Sequence, residues 1–172
     1  MRIYGAMVAL LIPGAAALAE ESDSKAVAIG PWQIEASFTG AGKFDRCVMS
    51  RTNEDGVETR FTRDEGGMSF AMTSPRWRLE KGKTYTVEFA ADTQVWQSEV
   101  AATNNAVRVV LTDAAFNDGL KTADVLEVRA AGATIRVPLD KSAAALSRLA
   151  SCYETNSKAV ETNPFAKPNP KP

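Results

Sequence analysis

The sequence contains no histidine and only two cysteines among its 172 residues. The lack of histidine excludes a Ser-His-Asp triad and any metal site with histidine ligands. Two cysteines are too few for a structural zinc site built from cysteine or mixed ligands. The 20 basic and 21 acidic residues leave a net charge of −1, so no nucleic acid or other highly charged partner is implied. The composition predicts no cofactor and no metal.

Residues 1–19 have the pattern of a secretory signal peptide. Arg2 precedes a mostly apolar run, Pro13 and Gly14 interrupt that run, and the small residues that follow end at Ala19. A membrane anchor is the alternative, but the run is shorter than the about 20 apolar residues that cross a bilayer. We therefore predict export with cleavage after Ala19. No later stretch is long and apolar enough to span a membrane.

The two cysteines are best interpreted in the light of that export. In an oxidising compartment an isolated pair usually forms a disulfide, and Cys47 with Cys152 is the one intramolecular pairing. Closing so long a loop would stabilise the fold by about 4–5 kcal/mol in the chain-entropy account. The alternative is a pair of reactive thiols, which the large separation and the lack of a C-x-x-C motif disfavour.

Most of the chain after Pro31 alternates between apolar and polar residues, as half-buried strands do. The first such run is Trp32, Ile34, Ala36 and Phe38. Glycine-rich and acidic turn signals separate the runs that follow. The pattern predicts one mainly β (α+β) domain over residues 31–155, an antiparallel sandwich or partly open barrel of about eight or nine strands.

Two segments have helical signals. Asp113 can cap a short helix that runs through Leu120. A longer C-terminal helix is predicted from Asp140 or Ser142 to about Glu154, and it would pack on the sheet and place Cys152 near its apolar side. Its predicted apolar stripe has helical spacing and consists of Leu146, Leu149, Ala150 and Tyr153.

The segments at either side of the predicted domain have a different composition. Residues 20–30 are polar and alanine-rich, and we interpret them as a mobile leader. Residues 156–172 carry four prolines, several lysines and a single aromatic, Phe165. Such a segment buries too little apolar surface to offset its ordering entropy, so we predict a disordered, proline-rich tail.

The most unusual local feature is a basic segment around a tryptophan. It could hold an anionic or aromatic partner through charge and cation–π attraction. In the alternative interpretation Trp77 and Leu79 fill the sheet interior while the basic residues face water. The candidate binding residues are Arg76, Trp77, Arg78, Lys81 and Lys83.

Other motifs give weaker signals for chemistry. Ser22 and Lys25 match an S-x-x-K motif, but they lie in the leader and its companion motifs are missing. Paired carboxylates could hydrolyse a substrate without histidine, as in glycosidases, although the spacing identifies no pair. No catalytic residue is therefore predicted, and the chain is interpreted as more consistent with a binding protein than with an enzyme.

Several short segments resemble the invasion-associated locus B-like family of small exported proteins from alphaproteobacteria. The similarity would cover residues 31–154, and it implies a periplasmic β-rich domain that contributes to envelope fitness or host association. The resembling positions are Phe44, Asp45, Arg46 and Cys47, then Trp77, Arg78, Leu79, Gly82 and Tyr85, then 139–142, Leu146, Leu149 and Cys152.

The sequence thus supports a non-enzymatic periplasmic binding or accessory module of the cell envelope. Its partner would be an envelope protein or an anionic ligand. Two alternatives stay open: an envelope hydrolase that uses carboxylates, and an inhibitor of another exported enzyme.

Overall fold

The computed structural model describes residues 26–161, and side chains as far as residue 158. The predicted signal peptide, the Ser22 and Lys25 motif and residues 162–172 of the predicted tail lie outside the described residues. Within them the chain forms ten strands and two helices. The strands are β1 Val27–Ile29, β2 Trp32–Phe38, β3 Phe44–Thr52, β4 Glu58–Asp64, β5 Gly67–Thr73, β6 Thr84–Ala91, β7 Gln94–Ala102, β8 Ala106–Val110, β9 Val125–Ala130 and β10 Ala133–Pro138. The helices are α1 Ala114–Gly119 and α2 Ser142–Glu161.

All ten strands belong to one antiparallel sheet that does not close. Its order is β1-β2-β3-β4-β5-β8-β7-β6-β9-β10, so the chain leaves β5, forms the β6–β7 hairpin at a distance, and returns through β8 to pair with β5. The mainly β prediction is confirmed, with a strand number slightly above the one expected.

The sheet folds over itself into a sandwich. The β7–β8 junction is narrow, with only Ala101 opposite Arg108 and Ala102 opposite Val107. Phe70 on β5 contacts Phe89 on β6 at 5.7 Å between ring centroids, although β8 and β7 separate these strands in the sheet order. Strands β1–β5 with β8 therefore face β6, β7, β9 and β10 across the core.

A chain of aromatic rings crosses this core. Trp32 contacts Phe61, Phe61 contacts Phe70, and Phe70 contacts Phe89, each pair in an edge-on arrangement. Edge-on contacts of this kind add about 0.5–1.5 kcal/mol each to the burial of the rings. Because β2, β4, β5 and β6 all contribute, the rings join both layers.

Helix α1 fills the wedge where β7 and β8 diverge. The Asp113 carboxylate accepts a hydrogen bond of 2.7 Å from the Phe116 amide, which is the cap expected from the sequence. The Phe116 ring then packs against Phe89 and Trp96. The short helix thereby covers apolar side chains of β6 and β7 at the place where β7 and β8 do not pair.

Helix α2 closes one end of the sandwich, against β2, β3 and β4. Ala145, Leu146, Leu149 and Cys152 form its buried side. Cys152 is bonded to Cys47 on β3 with a Cα separation of 6.2 Å, so the predicted disulfide between sheet and helix is confirmed. We call this end of the sandwich the helix end.

The start of α2 is also held by polar contacts. The Trp32 indole N–H donates to the Asp140 carbonyl at 3.0 Å. The Arg51 guanidinium donates to the carbonyl of Pro138 at 2.6 Å and to the Asp140 carboxylate at 2.9 Å. The same guanidinium lies 5.2 Å from the centre of the Trp32 ring. These contacts fix the direction in which the helix leaves the sheet.

The structure differs from the sequence prediction at both borders of the domain. Strand β1 lies inside the segment assigned to a leader, because Gly30 at φ 56° lets the chain turn and pair Val27 with Ile34. Helix α2 continues to Glu161, so the first residues of the predicted tail are helical. Ala150 is exposed, and the buried stripe of α2 passes through Ala145 and Cys152 instead.

Candidate functional site

The basic segment of the sequence forms the loop from Ser74 to Lys83, which crosses from β5 to β6. Four backbone hydrogen bonds hold it to the β7–β8 hairpin. The amides of Ser74, Leu79 and Gly82 donate to the carbonyls of Asn105, Asn104 and Ala102, and the Ala102 amide donates to the Lys83 carbonyl. Gly82 has a φ of 81°, a conformation that side chains disfavour, and it directs the chain into β6. We call this segment the basic loop.

The basic loop turns its apolar residues inward. Trp77 is half-buried and packs against the core, and Leu79 is also partly covered. Arg76, Arg78, Lys81 and Lys83 are exposed. The structure therefore places the tryptophan under the loop and the four cations on its outside.

Trp77 and Leu79 form one wall of an apolar groove of about 250 Å³, which we call the Trp77 groove. It lies at the end of the sandwich opposite α2, where β5, β6, β8, β9 and β10 come together. The β9–β10 hairpin forms its opposite wall. The remaining lining residues are Met72, Tyr85, Val87, Val107, Val128, Ala130, Ala131, Ala133 and Ile135.

Two of the loop cations have acidic partners. Lys83 forms an ion pair of 2.9 Å with Glu80, and its ammonium lies 5.6 Å from the centre of the Tyr85 ring. The hydrogen bond to Glu80 raises the pKa of Lys83 above its ordinary value. Arg76 reaches the Asp55 carboxylate at 3.9 Å and donates to its carbonyl.

The other two cations have no acidic partner in the part of the chain that the structure describes. The Arg78 guanidinium donates to the carbonyls of Pro75 and Trp77, each at 2.8 Å. Lys81 is exposed and lies in none of the ion pairs formed by residues 26–158. Both side chains are exposed, and neither of them lines the Trp77 groove.

A second cavity of about 410 Å³ lies at the helix end, between α2, α1 and the β4–β5 turn. Its floor is apolar, with Met68, Leu146 and Leu149, and Arg63 lies over the Tyr153 ring at 5.6 Å on one side. The Asn117 amide oxygen is buried there without a hydrogen-bond partner among the described residues. This cavity has a mixed lining, unlike the Trp77 groove.

Carboxylates cluster in a third, polar cavity that includes Asp92, Asp124 and Glu127. The hydrogen bond from Arg129 lowers the pKa of the Glu127 carboxyl. A general acid in hydrolysis needs a raised pKa, which Glu127 does not have, whereas the second carboxylate of such a pair acts in its ionised form. Within residues 26–158 no group of three or more histidine, cysteine, aspartate or glutamate side chains could hold a metal ion.

The sequence indicated the basic loop but not the groove beneath it. The lining residues come from five strands and two connecting segments, and each strand shows only ordinary alternation. Their proximity depends on the sandwich bringing β5 and β8 against β6, β9 and β10, which no local pattern encodes.

Neither described helix has the length and apolar character needed to cross a bilayer.

Comparison with solved structures shows what the fold is similar to. The fold is similar to that of invasion associated protein B from Bartonella henselae, with a TM-score of 0.58 and 19% sequence identity. The similarity covers 76% of this chain and 97% of that protein. No family model and no curated protein matches the chain. The resemblance noted in the sequence is therefore confirmed in the fold: this chain has the architecture of invasion associated protein B.

Proposed function

We propose that the protein is a non-enzymatic binding module of the cell envelope, and that its ligand site is the Trp77 groove. The observation that carries the proposal is a contiguous apolar concavity between two fixed walls, beside a loop with exposed cations. Small-molecule sites in proteins are typically concave and mostly apolar, with a few polar groups at the edge. The groove has this composition.

The walls of the groove are held in place before any ligand binds. One wall is the basic loop, pinned by hydrogen bonds to Ala102, Asn104 and Asn105. The other is the β9–β10 hairpin, whose strands pair along their whole length from Val125 opposite Pro138 to Ala130 opposite Ala133. A preformed site loses less conformational entropy on binding than a flexible one.

The test is a binding titration with the neutral fluorophore N-phenyl-1-naphthylamine. The variant Ala133→Trp places a large side chain into the groove, and we expect it to weaken binding by about tenfold or more. Thr134→Trp is the matched control, because Thr134 is the next residue on β10, is also exposed, and does not line the groove. Equal affinity of both variants and the parent would refute the groove as the site.

Export belongs to the same proposal. The predicted signal peptide and the disulfide between Cys47 and Cys152 support a location in an oxidising compartment such as the periplasm. Cell fractionation with intact-mass analysis should find a periplasmic chain that begins at Glu20 and contains no free thiol. A cytoplasmic chain that begins at Met1 with both thiols reduced would contradict export.

A further inference from the structure

The lining of the Trp77 groove contains no charged side chain. All eleven lining residues are apolar or uncharged, and the exposed cations of the basic loop lie outside the lining. Lys83 lies over the ring of the lining residue Tyr85, but its ion pair of 2.9 Å with Glu80 offsets that charge. A charged group inside the groove would therefore lose hydration without gaining an ionic partner.

Three of the lining side chains favour an aromatic occupant. Trp77 and Tyr85 contribute aromatic rings, and contacts between aromatic rings are stabilised beyond the effect of burial alone. The Met72 thioether also makes favourable contacts with aromatic rings. A saturated ring system of the same shape would bury a similar area but would lack these contacts.

The volume of the groove limits the size of the occupant. An apolar cavity of about 150 Å³ accommodates one benzene molecule. The Trp77 groove has about 250 Å³, which leaves room for a second fused ring. This volume lies below the range of roughly 300–1,000 Å³ that is usual for drug-sized ligands, so a larger ring system would extend into solvent.

Two uncharged polar groups belong to the lining, the Trp77 indole N–H and the Tyr85 hydroxyl. Neither forms a hydrogen bond with another residue of the chain between 26 and 158. Neither is among the buried side-chain atoms of that range that lack a partner, so both are in contact with solvent. Each is available to an uncharged oxygen of a ligand.

We infer that the Trp77 groove binds a neutral aromatic molecule of about two fused rings that carries an uncharged oxygen substituent. This inference rests on the proposed function, to which it adds the class of ligand. The naphthyl group of N-phenyl-1-naphthylamine has the same two-ring skeleton. Binding of that fluorophore tests the groove, whereas the class of ligand requires probes that differ in one property at a time.

The experiment compares four probes with the same two-ring skeleton by calorimetry. The neutral aromatic probe is 2-naphthylmethanol, and decahydro-2-naphthylmethanol is its saturated analogue. The anion 2-naphthoate and the cation 2-naphthylmethylammonium carry opposite charges. We expect 2-naphthylmethanol to bind about tenfold more tightly than each of the other three. Added salt should leave its affinity nearly constant.

A pair of tyrosine variants tests the aromatic contribution. Tyr85→Leu should reduce the preference for 2-naphthylmethanol over its saturated analogue by about threefold, while the affinity for the saturated analogue stays near the parent level. Tyr153→Leu is the matched control and should retain the preference. Tyr153 is also half-buried and also has a cation 5.6 Å from its ring centre, but it does not line the groove. Circular dichroism melts establish that both variants are folded.

The outcomes separate the ligand class from the groove itself. Equal affinity for 2-naphthylmethanol and its saturated analogue, with both blocked by Ala133→Trp, would overturn the aromatic ligand and leave the groove as a binding site. Tighter binding of 2-naphthoate that weakens with salt would overturn the neutral ligand and leave the groove likewise. If no probe binds, N-phenyl-1-naphthylamine included, both proposals are wrong. A parent that is then dimeric while Ala133→Trp is monomeric would assign the groove to a second copy of the chain.

Discussion

The two ends of the sandwich are closed in different ways. At the helix end, α2 packs on β2 to β4 and is bonded covalently to β3 through Cys47 and Cys152. At the opposite end the basic loop crosses from β5 to β6 without a covalent link. It is held by backbone hydrogen bonds and by the packing of Trp77, and the Trp77 groove lies beside it. Strand β5 links the two ends, since Met68 borders the helix-end cavity and Met72 the groove.

If the Trp77 groove binds a ligand as proposed, one end of the sandwich supplies stability and the other end supplies the binding surface. The helix end combines a disulfide, a buried helix face and the contacts of Arg51 with Asp140. The groove end has an apolar surface that its own chain leaves partly open. A binding site needs such open surface, and a protein can retain it when the rest of the fold supplies the stability.

The largest expected effect comes from removing the covalent link at the helix end. Cys47→Ala with Cys152→Ala should lower the free energy of unfolding by about 2–5 kcal/mol, because the unfolded chain gains freedom when the long loop is opened. Urea denaturation monitored by circular dichroism measures the change. Parent protein in reducing agent is the control and should match the variant.

Binding measured on the same variant tests whether the groove is independent of the helix end. Under conditions where it is folded, its affinity for N-phenyl-1-naphthylamine should equal that of the parent. A loss of affinity in the folded variant would show that the helix end shapes the groove, and the separation of roles would then be wrong.

A smaller effect is expected in the hairpin that walls the groove. Ala131 has a φ of 48° and precedes Gly132 at 80°, a turn geometry for which asparagine followed by glycine is preferred. Ala131→Asn should therefore raise the free energy of unfolding by about 1 kcal/mol, since alanine is strained there. Ala131→Val should lower it, because a β-branched side chain fits positive φ poorly.

Urea denaturation of the two variants in parallel is the measurement. If Ala131→Asn raises stability without changing probe affinity, the hairpin wall is already rigid in the parent. Equal stabilities of the asparagine and valine variants would contradict the strain at this turn.

The smallest effect concerns acid sensitivity on the β9 surface. Hydrogen bonding from Arg129 lowers the folded-state pKa of Glu127, so this carboxylate stabilises the fold above its unfolded pKa. That contribution is lost as the pH falls through the lowered folded pKa. Melting temperatures measured from pH 6 down to pH 3 should fall less in Glu127→Gln than in the parent. Parallel curves for the two proteins would refute the coupling.

Much of the fold could be predicted from local patterns. Alternation located the strands, Asp113 was recognised as the cap of α1, and the spacing of Leu146 and Leu149 indicated the buried side of α2. The disulfide followed from an inference about compartment together with a count of two cysteines. These features depend on short-range rules or on a single possible pairing.

The remaining features depend on contacts that are distant in sequence. Strand β1 has three residues and is recognisable only through its partner β2. Helix α2 passes Thr155, Asn156 and Ser157, which are weak helix formers, and the Asn156 amide donates to the Cys152 carbonyl there. The groove combines residues from both layers, so it exists only because the sheet folds over itself.

The crossing of the basic loop between the layers has a consequence for the energetics of an occupied protein. A molecule in the groove would contact β5 and β8 of one layer and β6, β9 and β10 of the other at the same time. Bound there, it would hold the two layers together at the end of the sandwich away from the disulfide, and the melting temperature of the protein would rise with the ligand concentration.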